Sequence, residues 1–265
     1  MNNKSKQTVL ITGASSGIGF ELAKIFAQNN FDLILVAMNP DKLDKAKQEL
    51  AQRYQVAINA ISLDLSVANA AVTLAAQIKE LGKTVDILVN NAGYGDHAGF
   101  LDSSWPRQKN IVDLNIIALM QLTHIFGQEM RTRGFGRILN IASIAALQAG
   151  PYMSIYYASK AFVLSFSQAV AAELEGTGVT VTALCPGPTA TNFEAASHMK
   201  NSRMFKIFKP TSAEKMAGAG YKAVMKGRRV KFYGASGALV NLMSRLLPRK
   251  TTAKMAKFVN GIPAN

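Results

Sequence analysis

Six apolar runs of strand length alternate along the chain with segments of helical periodicity. The runs occupy residues 8–12, 32–37, 57–62, 86–90, 137–142 and 179–185. Most are continuously apolar, as expected of parallel strands that helices cover on both faces. Helical patterns lie near residues 17–29, 40–53, 67–81, 106–132, 155–175 and 211–225, and a seventh strand is expected at 228–233. The pattern predicts an α/β fold of three layers with a doubly wound parallel sheet of about seven strands.

Composition is compatible with a single domain over residues 1–265. The chain is 49% hydrophobic and 17% charged, and it contains no internal repeat or linker. The lone cysteine, Cys185, excludes an internal disulfide, and the three histidines share no metal-binding spacing, so no metal site is predicted. The first residues pass directly into a strand, and no run of 18 apolar residues occurs, so a cytoplasmic protein is expected.

The net charge of +14 is concentrated in the last quarter of the chain. Residues 1–199 contain 15 basic and 15 acidic residues, whereas residues 200–265 contain 15 basic residues and one acidic residue, Glu214. This asymmetry indicates an anionic partner for the last quarter, such as a phospholipid surface, nucleic acid or a phosphorylated carrier. A solvated basic face that maintains solubility is an equally good explanation. Nucleic acid is the weakest partner, because few aromatic residues accompany the charge.

Residues 234–265 form a basic amphipathic extension that the sheet does not require. Its apolar residues recur at helical spacing, with basic residues between them, so a helical extension is expected. The apolar positions are Leu239, Leu242, Met243, Leu246 and Leu247. Two interpretations remain open. The apolar stripe docks onto its own or a neighbouring subunit beside the substrate entrance, or the extension lies on an anionic membrane as a peripheral helix.

Tyr156, Lys160 and Ser143 carry the chemistry. Tyr156 and Lys160 are four residues apart and so share one helix face, where the ammonium would lower the pKa of the phenol. Ser143 would hold a carbonyl or alcohol oxygen while Tyr156 exchanges a proton with it and hydride moves at the adjoining carbon. The three residues predict a hydride-transfer enzyme. Tyr157, three residues from Lys160, is interpreted as a packing residue.

Glycines at positions 13, 17 and 19 lie between the first strand and the first helix. Glycine allows a tight turn and close approach of a pyrophosphate, whose charge is favoured at a helix N-terminus. This placement predicts a dinucleotide site.

With these motifs in order, the chain resembles the short-chain dehydrogenase/reductase family, whose fold is of the Rossmann type. The motifs are TGASSGIG at 12–19, NNAG at 90–93, the set Asn115, Ser143, Tyr156 and Lys160, and PGPTAT at 186–191. The resemblance covers about residues 8–235. It implies an NAD(P)(H)-dependent oxidoreductase that interconverts ketones and secondary alcohols.

The resemblance also implies roles for individual residues. Tyr156 would be the general acid, Ser143 would position the substrate oxygen, and Lys160 would lower the tyrosine pKa and bind the nicotinamide ribose. Asn115 would hold a water in the proton relay, and Asp64 would contact the adenine ring. The implied cofactor-binding residues are Gly13, Ser15, Ser16, Gly17, Ile18, Gly19, Met38, Asn39, Asp64, Leu65, Asn91, Ala92, Gly93, Tyr156, Lys160, Pro186, Gly187, Thr189 and Thr191.

The end of the second strand bears on the choice of cofactor. NAD-preferring relatives place an acid for the ribose hydroxyls where this chain has Ala37, so NADP(H) is expected over NAD(H). The arginine of NADP-preferring relatives falls at Met38, and Ser15 lacks the basic residue that some relatives carry. Asn39 and Lys42 remain as candidates for phosphate contact, and use of both cofactors stays open.

Residues 188–210 correspond to the segment over the substrate, a lid that varies in this family. Its apolar residues favour a lipophilic ketone, such as a 3-oxoacyl or steroid-like carbonyl, and its bases leave a carboxylate, phosphate or acyl carrier open. The apolar residues are Phe193, Met199, Met204, Phe205, Ile207 and Phe208, and the bases are Lys200, Arg203 and Lys206. By analogy, a homodimer or homotetramer is expected. The alternative function is a catalytically silent nucleotide-sensing or surface-binding module.

Overall fold

A seven-stranded parallel sheet forms the centre of the molecule. The computed structural model describes residues 6–199 and 202–261. The strands are β1 (Thr8–Thr12), β2 (Asp32–Ala37), β3 (Ile58–Ser62), β4 (Ile87–Asn90), β5 (Gly136–Ile141), β6 (Val179–Cys185) and β9 (Val230–Phe232). Two further strands of two residues each, β7 and β8, form a separate pair. Their order in the sheet is β3-β2-β1-β4-β5-β6-β9, with every pairing parallel. The predicted doubly wound sheet of seven strands is confirmed.

Helices cover both faces of the sheet. They are α1 (Gly17–Gln28), α2 (Pro40–Arg53), α3 (Ala70–Glu80), α4 (Trp105–Val112), α5 (Leu119–Arg133), α6 (Ser154–Glu173) and α9 (Ala213–Met225). Within β1, Val9 and Ile11 join the core under α1 and α9, whereas Leu10 joins the core under α3 and α5. Successive strand residues point to opposite faces, so burial on both faces explains the uninterrupted apolar runs.

The long helix predicted at 106–132 contains a segment that the apolar pattern does not reveal. Helices α4 and α5 are joined by one π-helical stretch, Asp113–Ala118, and Asn115 lies within it. Such an insertion is frequent at functional sites. By length and composition, residues 105–133 would qualify as a membrane span. In the fold, however, Leu122, Phe126 and Met130 are buried against the sheet, so this is a core helix.

The lid and the extension fold as short elements above the carboxyl ends of the strands. They comprise the two-residue strands β7 (Thr189–Ala190) and β8 (Thr211–Ser212), which pair in parallel, and helices α7 (Phe193–Ala196), α8 (Met204–Ile207), α10 (Gly234–Leu246) and α11 (Arg249–Asn260). The predicted helical extension is thus two helices separated at Pro248. Lys200 of the predicted lid, and residues 262–265 of the extension, lie outside the described residues.

The strand order places the functional segments together. The chain proceeds outward from β1 through β2 to β3, then returns to β4 on the other side of β1. In open α/β sheets, ligands bind beyond the carboxyl ends of the strands at such a switch point. The glycine turn after β1 and the NNAG segment after β4 therefore become neighbours.

Candidate active site

Thr12 and Asn91 join the glycine turn to the NNAG segment. The Thr12 hydroxyl accepts hydrogen bonds from the backbone N–H groups of Asn91 and Ala92, each at 3.0 Å. The Asn91 amide donates to the carbonyl oxygens of Thr12 at 2.9 Å and Gly13 at 3.1 Å. These bonds fix the two loops relative to each other, so the switch point is a rigid floor for a ligand.

Two glycines in the turn have different reasons to lack a side chain. Gly17 has φ of 58°, which favours glycine, and a Cβ built on it would lie 3.1 Å from Cγ2 of Thr191. A Cβ on Gly19 would collide with the Gly13 carbonyl oxygen. Because Gly17 lacks a side chain, the PGPTAT segment can lie close to the glycine turn. Because Gly19 lacks one, α1 can pack directly against that turn.

Ser143, Tyr156 and Lys160 converge from two elements. Ser143 follows β5 and caps a short 3₁₀ turn, Ile144–Leu147, by accepting from the Ala145 N–H at 3.1 Å. Tyr156 and Lys160 lie one turn apart in α6. The Tyr156 ring packs between Phe193, at a centroid distance of 5.2 Å, and Tyr157, at 6.2 Å. All three predicted residues line one cavity.

Lys160 is a buried cation. Its Nζ donates to the Ile141 carbonyl oxygen at 2.8 Å and lies 5.8 Å from the centroid of the Tyr156 ring. Burial lowers the pKa of Lys160 to about 8, with a small opposing effect of Cys185. At neutral pH the ammonium is still charged, but deprotonation lies within easy reach of mildly alkaline solution.

The expectation that Lys160 lowers the pKa of Tyr156 is wrong for this structure. Burial raises the pKa of Tyr156 well above 10, and only the hydrogen-bonding contribution of Ser143 opposes it. Removal from water disfavours the phenolate more than nearby groups favour it. Tyr156 is therefore held in its protonated form, which is the form needed by a proton donor.

Asn115 uses its side chain to fix a loop. Its Nδ2 donates to the Tyr94 carbonyl oxygen and to Ser159 Oγ, each at 3.0 Å, and its Oδ1 accepts from the Tyr94 N–H at 3.2 Å. The side chain is fully buried and does not line the cavity. Both amide hydrogens are thus engaged by protein, and a water-holding role for Asn115 stays a prediction.

A single cavity of about 760 Å³ runs over the switch point. The predicted cofactor residues that line it are Gly13, Ser15, Ser16, Gly17, Ile18, Met38, Asn39, Asp64, Leu65, Asn91, Ala92, Gly93, Tyr156, Lys160, Pro186, Gly187, Thr189 and Thr191. Gly19 is the exception, because it lies behind the turn against Gly13. Gly19 packs against the turn in this structure, and its contact with a cofactor stays a prediction.

At the β2 end of the cavity, Lys42 is the basic side chain among the lining residues. Met38 is 68% exposed, and Asn39 caps α2 by accepting from the Lys42 N–H at 2.9 Å. The acid at this end is Asp64, whose Oδ1 accepts from the N–H and hydroxyl of Ser66 at 2.9 and 2.7 Å. The cap leaves the Asn39 oxygen occupied, so Lys42 is the stronger candidate for phosphate contact.

The opposite end of the cavity is apolar and is built by the lid and the extension. The lining residues there are Met153, Phe193, Met199, Met204, Phe208, Val240, Met243, Leu247, Met255, Ala256 and Val259. The apolar stripe predicted in the extension is divided in the fold. Met243 and Leu247 face the cavity, whereas Leu239, Leu242 and Leu246 are exposed.

Asn260 attaches the extension to α6. It is fully buried, its Oδ1 accepts from the Tyr157 hydroxyl at 3.0 Å, and its Nδ2 donates to the Pro151 carbonyl oxygen at 3.0 Å. The His97 ring nitrogen contacts the Asn260 carbonyl oxygen. The extension thus docks on its own subunit. Tyr157 is buried, as expected of a packing residue, and also donates a hydrogen bond to this contact.

Sequence reasoning missed Thr12, Tyr94, Ser159 and Asn260. Thr12 carries a detectable signal, since a hydroxyl ends an otherwise apolar strand directly before Gly13. The other three act through contacts between segments distant in the chain, which periodicity does not reveal.

Comparison with known proteins places these features in a family. The model of the short chain dehydrogenase family matches residues 7–202. The chain is 33% identical over 187 residues to "Ketoacyl reductase HetN" of a Nostoc species, covering 71% of this chain and 65% of that protein. It is 30% identical over 264 residues to "Probable oxidoreductase EphD" of Mycobacterium tuberculosis, covering 93% of this chain and 44% of that protein. The chain therefore spans about two thirds or less of the length of these relatives.

A solved structure agrees with the fold over nearly the whole chain. A short-chain dehydrogenase from Sphingobium yanoikuyae, in complex with NADPH, superposes with a TM-score of 0.80 and 30% identity. The match covers 91% of this chain and 96% of that one. The motif order, the switch-point cavity and these similarities lead to one conclusion: the chain belongs to the short-chain dehydrogenase/reductase family of oxidoreductase enzymes.

Proposed function

We propose that this protein reduces a lipophilic ketone to the secondary alcohol with NADPH as the hydride source. One observation supports this most strongly. Ser143, Tyr156 and Lys160 converge in a single cavity whose one end is a glycine-turn nucleotide floor and whose other end is apolar. A dinucleotide on the first part and an apolar ketone on the second would meet at Tyr156.

The residues divide the chemistry among them. NADPH, when bound on the glycine turn, would supply the hydride for the carbonyl carbon. The Ser143 hydroxyl donates a hydrogen bond to the carbonyl oxygen, and Tyr156 transfers its proton to that oxygen as charge develops. Lys160 Nζ, held by the Ile141 carbonyl, would bind the nicotinamide ribose.

The preference for NADPH rests on the β2 end of the cavity. Ala37 supplies no carboxylate there to repel a 2′-phosphate, and Lys42 supplies a positive charge. Asp64, the acid at this end of the cavity, would meet the adenine ring. The NADPH complex of the Sphingobium relative is consistent with this choice.

The lid and the extension support the proposed substrate class. Methionine, phenylalanine, leucine and valine side chains line the substrate end, and flexible methionines adapt to varied apolar shapes. A fatty 3-oxoacyl or steroid-like ketone fits such a lining. One similar protein is named a ketoacyl reductase, and a solved neighbour at 28% identity is a bulky-bulky ketone specific alcohol dehydrogenase from Comamonas testosteroni.

The proposed setting is a cytoplasmic homodimer or homotetramer, as is common in the family, that meets an anionic surface through its basic last quarter. That surface would be a phospholipid or an acyl carrier. A silent nucleotide-binding module is the rival function. The complete set of Asn115, Ser143, Tyr156 and Lys160 argues against it, because a binding module has no need of a proton donor.

The decisive experiment measures NADPH oxidation with a panel of ketones of increasing apolar size, using the wild type, Tyr156→Phe and Tyr157→Phe. We expect the wild type to have a higher kcat/KM for larger apolar ketones than for smaller ones. Tyr156→Phe should lower kcat at least about a thousandfold, while NADPH binding, followed by fluorescence, stays within about twofold. Tyr157→Phe is the matched control and should retain kcat. Activity of Tyr156→Phe near the wild-type level would overturn the assignment.

A further inference from the structure

The outer face of the extension combines exposed apolar and basic side chains. Leu239, Leu242 and Leu246 on α10 are 56%, 54% and 73% exposed, and Phe258 on α11 is 61% exposed. We define the outer face as these four residues together with Arg245, Arg249, Lys250, Lys254 and Lys257, all of them exposed.

The outer face points away from the substrate cavity. Val240, Met243 and Leu247 on α10, and Ala256 and Val259 on α11, line the cavity. The opposite sides of the same two helices therefore face outward. The two interpretations of the amphipathic extension thus do not compete, because one side docks on the subunit while the other stays uncovered.

The charge on this face lacks compensation. Within residues 6–199 and 202–261, no acidic side chain forms an ion pair with Arg245, Arg249, Lys250, Lys254 or Lys257. The last quarter of the chain supplies one acid, Glu214, in the first turn of α9. A second copy of the chain would bring an equal set of positive charges to this face, so charge repulsion disfavours self-association here.

We propose that the outer face docks onto an anionic phospholipid bilayer. Leucine and phenylalanine side chains would enter the headgroup and acyl boundary, while lysine and arginine would meet the lipid phosphates. The cavity wall on the reverse of the same helices would then lie next to the membrane. Insofar as the substrate is the lipophilic ketone proposed above, this places its entrance beside the phase in which such a ketone dissolves.

The lid continues this surface. The Arg203 guanidinium lies 4.8 Å from the centroid of the Phe258 ring. The backbone N–H of Arg203 donates to the Gly261 carbonyl oxygen at 3.1 Å. Ile207, at the end of α8, is also exposed. Lid and extension therefore present contiguous apolar and basic groups, and membrane docking would bear on both walls of the cavity.

The test is sedimentation of the full chain with vesicles of phosphatidylglycerol and phosphatidylcholine in equal parts, and with vesicles of phosphatidylcholine alone. We expect binding to the anionic vesicles, and at least tenfold weaker binding to the neutral ones or at about 500 mM salt. The apolar variant carries Leu239→Ser, Leu242→Ser and Leu246→Ser, and its control carries Val67→Ser, Val72→Ser and Leu81→Ser, which are exposed on another face.

A charge variant and its control change the net charge equally. The first carries Arg249→Glu, Lys250→Glu and Lys254→Glu on the outer face, and the second carries Lys45→Glu, Lys47→Glu and Lys79→Glu on exposed sites of α2 and α3. Both outer-face variants should lose vesicle binding at least tenfold, and both controls should keep it. NADPH binding and circular dichroism verify that each variant is folded.

Equal sedimentation of outer-face and control variants would overturn the proposal, as would failure of the wild type to bind anionic vesicles. Loss of self-association by the outer-face variants, with vesicle binding intact, would assign the face to a second copy. Binding to a purified acidic acyl carrier protein but not to vesicles would assign it to a protein. Tyr156→Phe should sediment with vesicles like the wild type, because vesicle binding does not depend on the catalytic assignment. Either proposal can therefore fail without the other.

Discussion

Replacement of Asn260 by alanine is expected to release the last helix from α6. The change removes the acceptor of the Tyr157 hydroxyl and the donor to the Pro151 carbonyl oxygen, both at 3.0 Å. Tyr157 is buried and Pro151 is half-buried. A buried polar group without a partner costs about 1–3 kcal/mol, so the two together should cost at least about 2 kcal/mol.

The loss of stability should first appear as opening of α11, before the whole protein unfolds. Helix α11 joins the rest of the molecule through its inner face and Asn260, so it is expected to open while the sheet stays folded. Hydrogen exchange followed by mass spectrometry should show faster exchange across residues 249–260, by about 30-fold or more for 2 kcal/mol. KM for a large apolar ketone should rise, because Ala256 and Val259 form part of the cavity wall.

Two comparisons make the Asn260 prediction specific. Asn29→Ala, at an exposed helix end, should change stability by less than about 0.5 kcal/mol. In a double-mutant cycle, Asn260→Ala and Tyr157→Phe should be coupled by about 1 kcal/mol, because each removes the same hydrogen bond. Unchanged exchange across α11 in Asn260→Ala, or strictly additive effects, would refute the reasoning.

Three further results are expected. Lys42→Glu should lower the NADPH to NADH ratio of kcat/KM at least tenfold through repulsion of the 2′-phosphate, whereas Lys45→Glu on the outer side of α2 should leave the ratio unchanged. NADPH affinity, measured by fluorescence titration, should fall about fivefold as pH rises through about 8, because Lys160 loses its charge there, and Lys160→Met should remove this step. Gly19→Ala should destabilise the protein by about 1–3 kcal/mol in urea unfolding, because its Cβ meets the Gly13 carbonyl. Gly218→Ala, in α9 with open space around it, should be neutral or stabilising by up to about 1 kcal/mol, and a similar loss in both variants would contradict the packing argument.

As pH rises, the titration of Lys160 should stabilise the fold, whereas the titration of its buried neighbour Cys185 should destabilise it. The folded-state pKa of about 8 lies below the ordinary value of 10.5, so between these values the unfolded chain binds the proton more tightly. This contribution therefore stabilises the fold as pH rises through that window. Burial raises the pKa of the Cys185 thiol to about 12, and that contribution is lost as pH rises above 9.0. The pH step in NADPH affinity is therefore the cleaner measurement.

The main strands and the glycine turn of the site could be predicted from the sequence because both depend on local signals. Continuous apolar runs are required by burial on both faces, and a glycine turn between β1 and α1 is required by close backbone approach. The spacing of Tyr156 and Lys160 fixes their common helix face. In each case a few neighbouring residues contain the physical cause.

The tertiary structure decided what depends on distant contacts. Periodicity gave α10 one apolar stripe, but the cavity and the solvent divide it between Met243 and Leu247 on one side and Leu239, Leu242 and Leu246 on the other. Spacing alone predicted a lowered pKa for Tyr156, whereas the burial that raises it arises only when the lid and α6 pack together. The sequence by itself determined the fold, the glycine turn of the candidate site and the candidate proton donor Tyr156. Only packing between segments far apart in the chain decided the burial that raises the pKa of Tyr156, the contact of Gly19 with Gly13 and the attachment of the extension through Asn260, because desolvation and contact require the folded molecule.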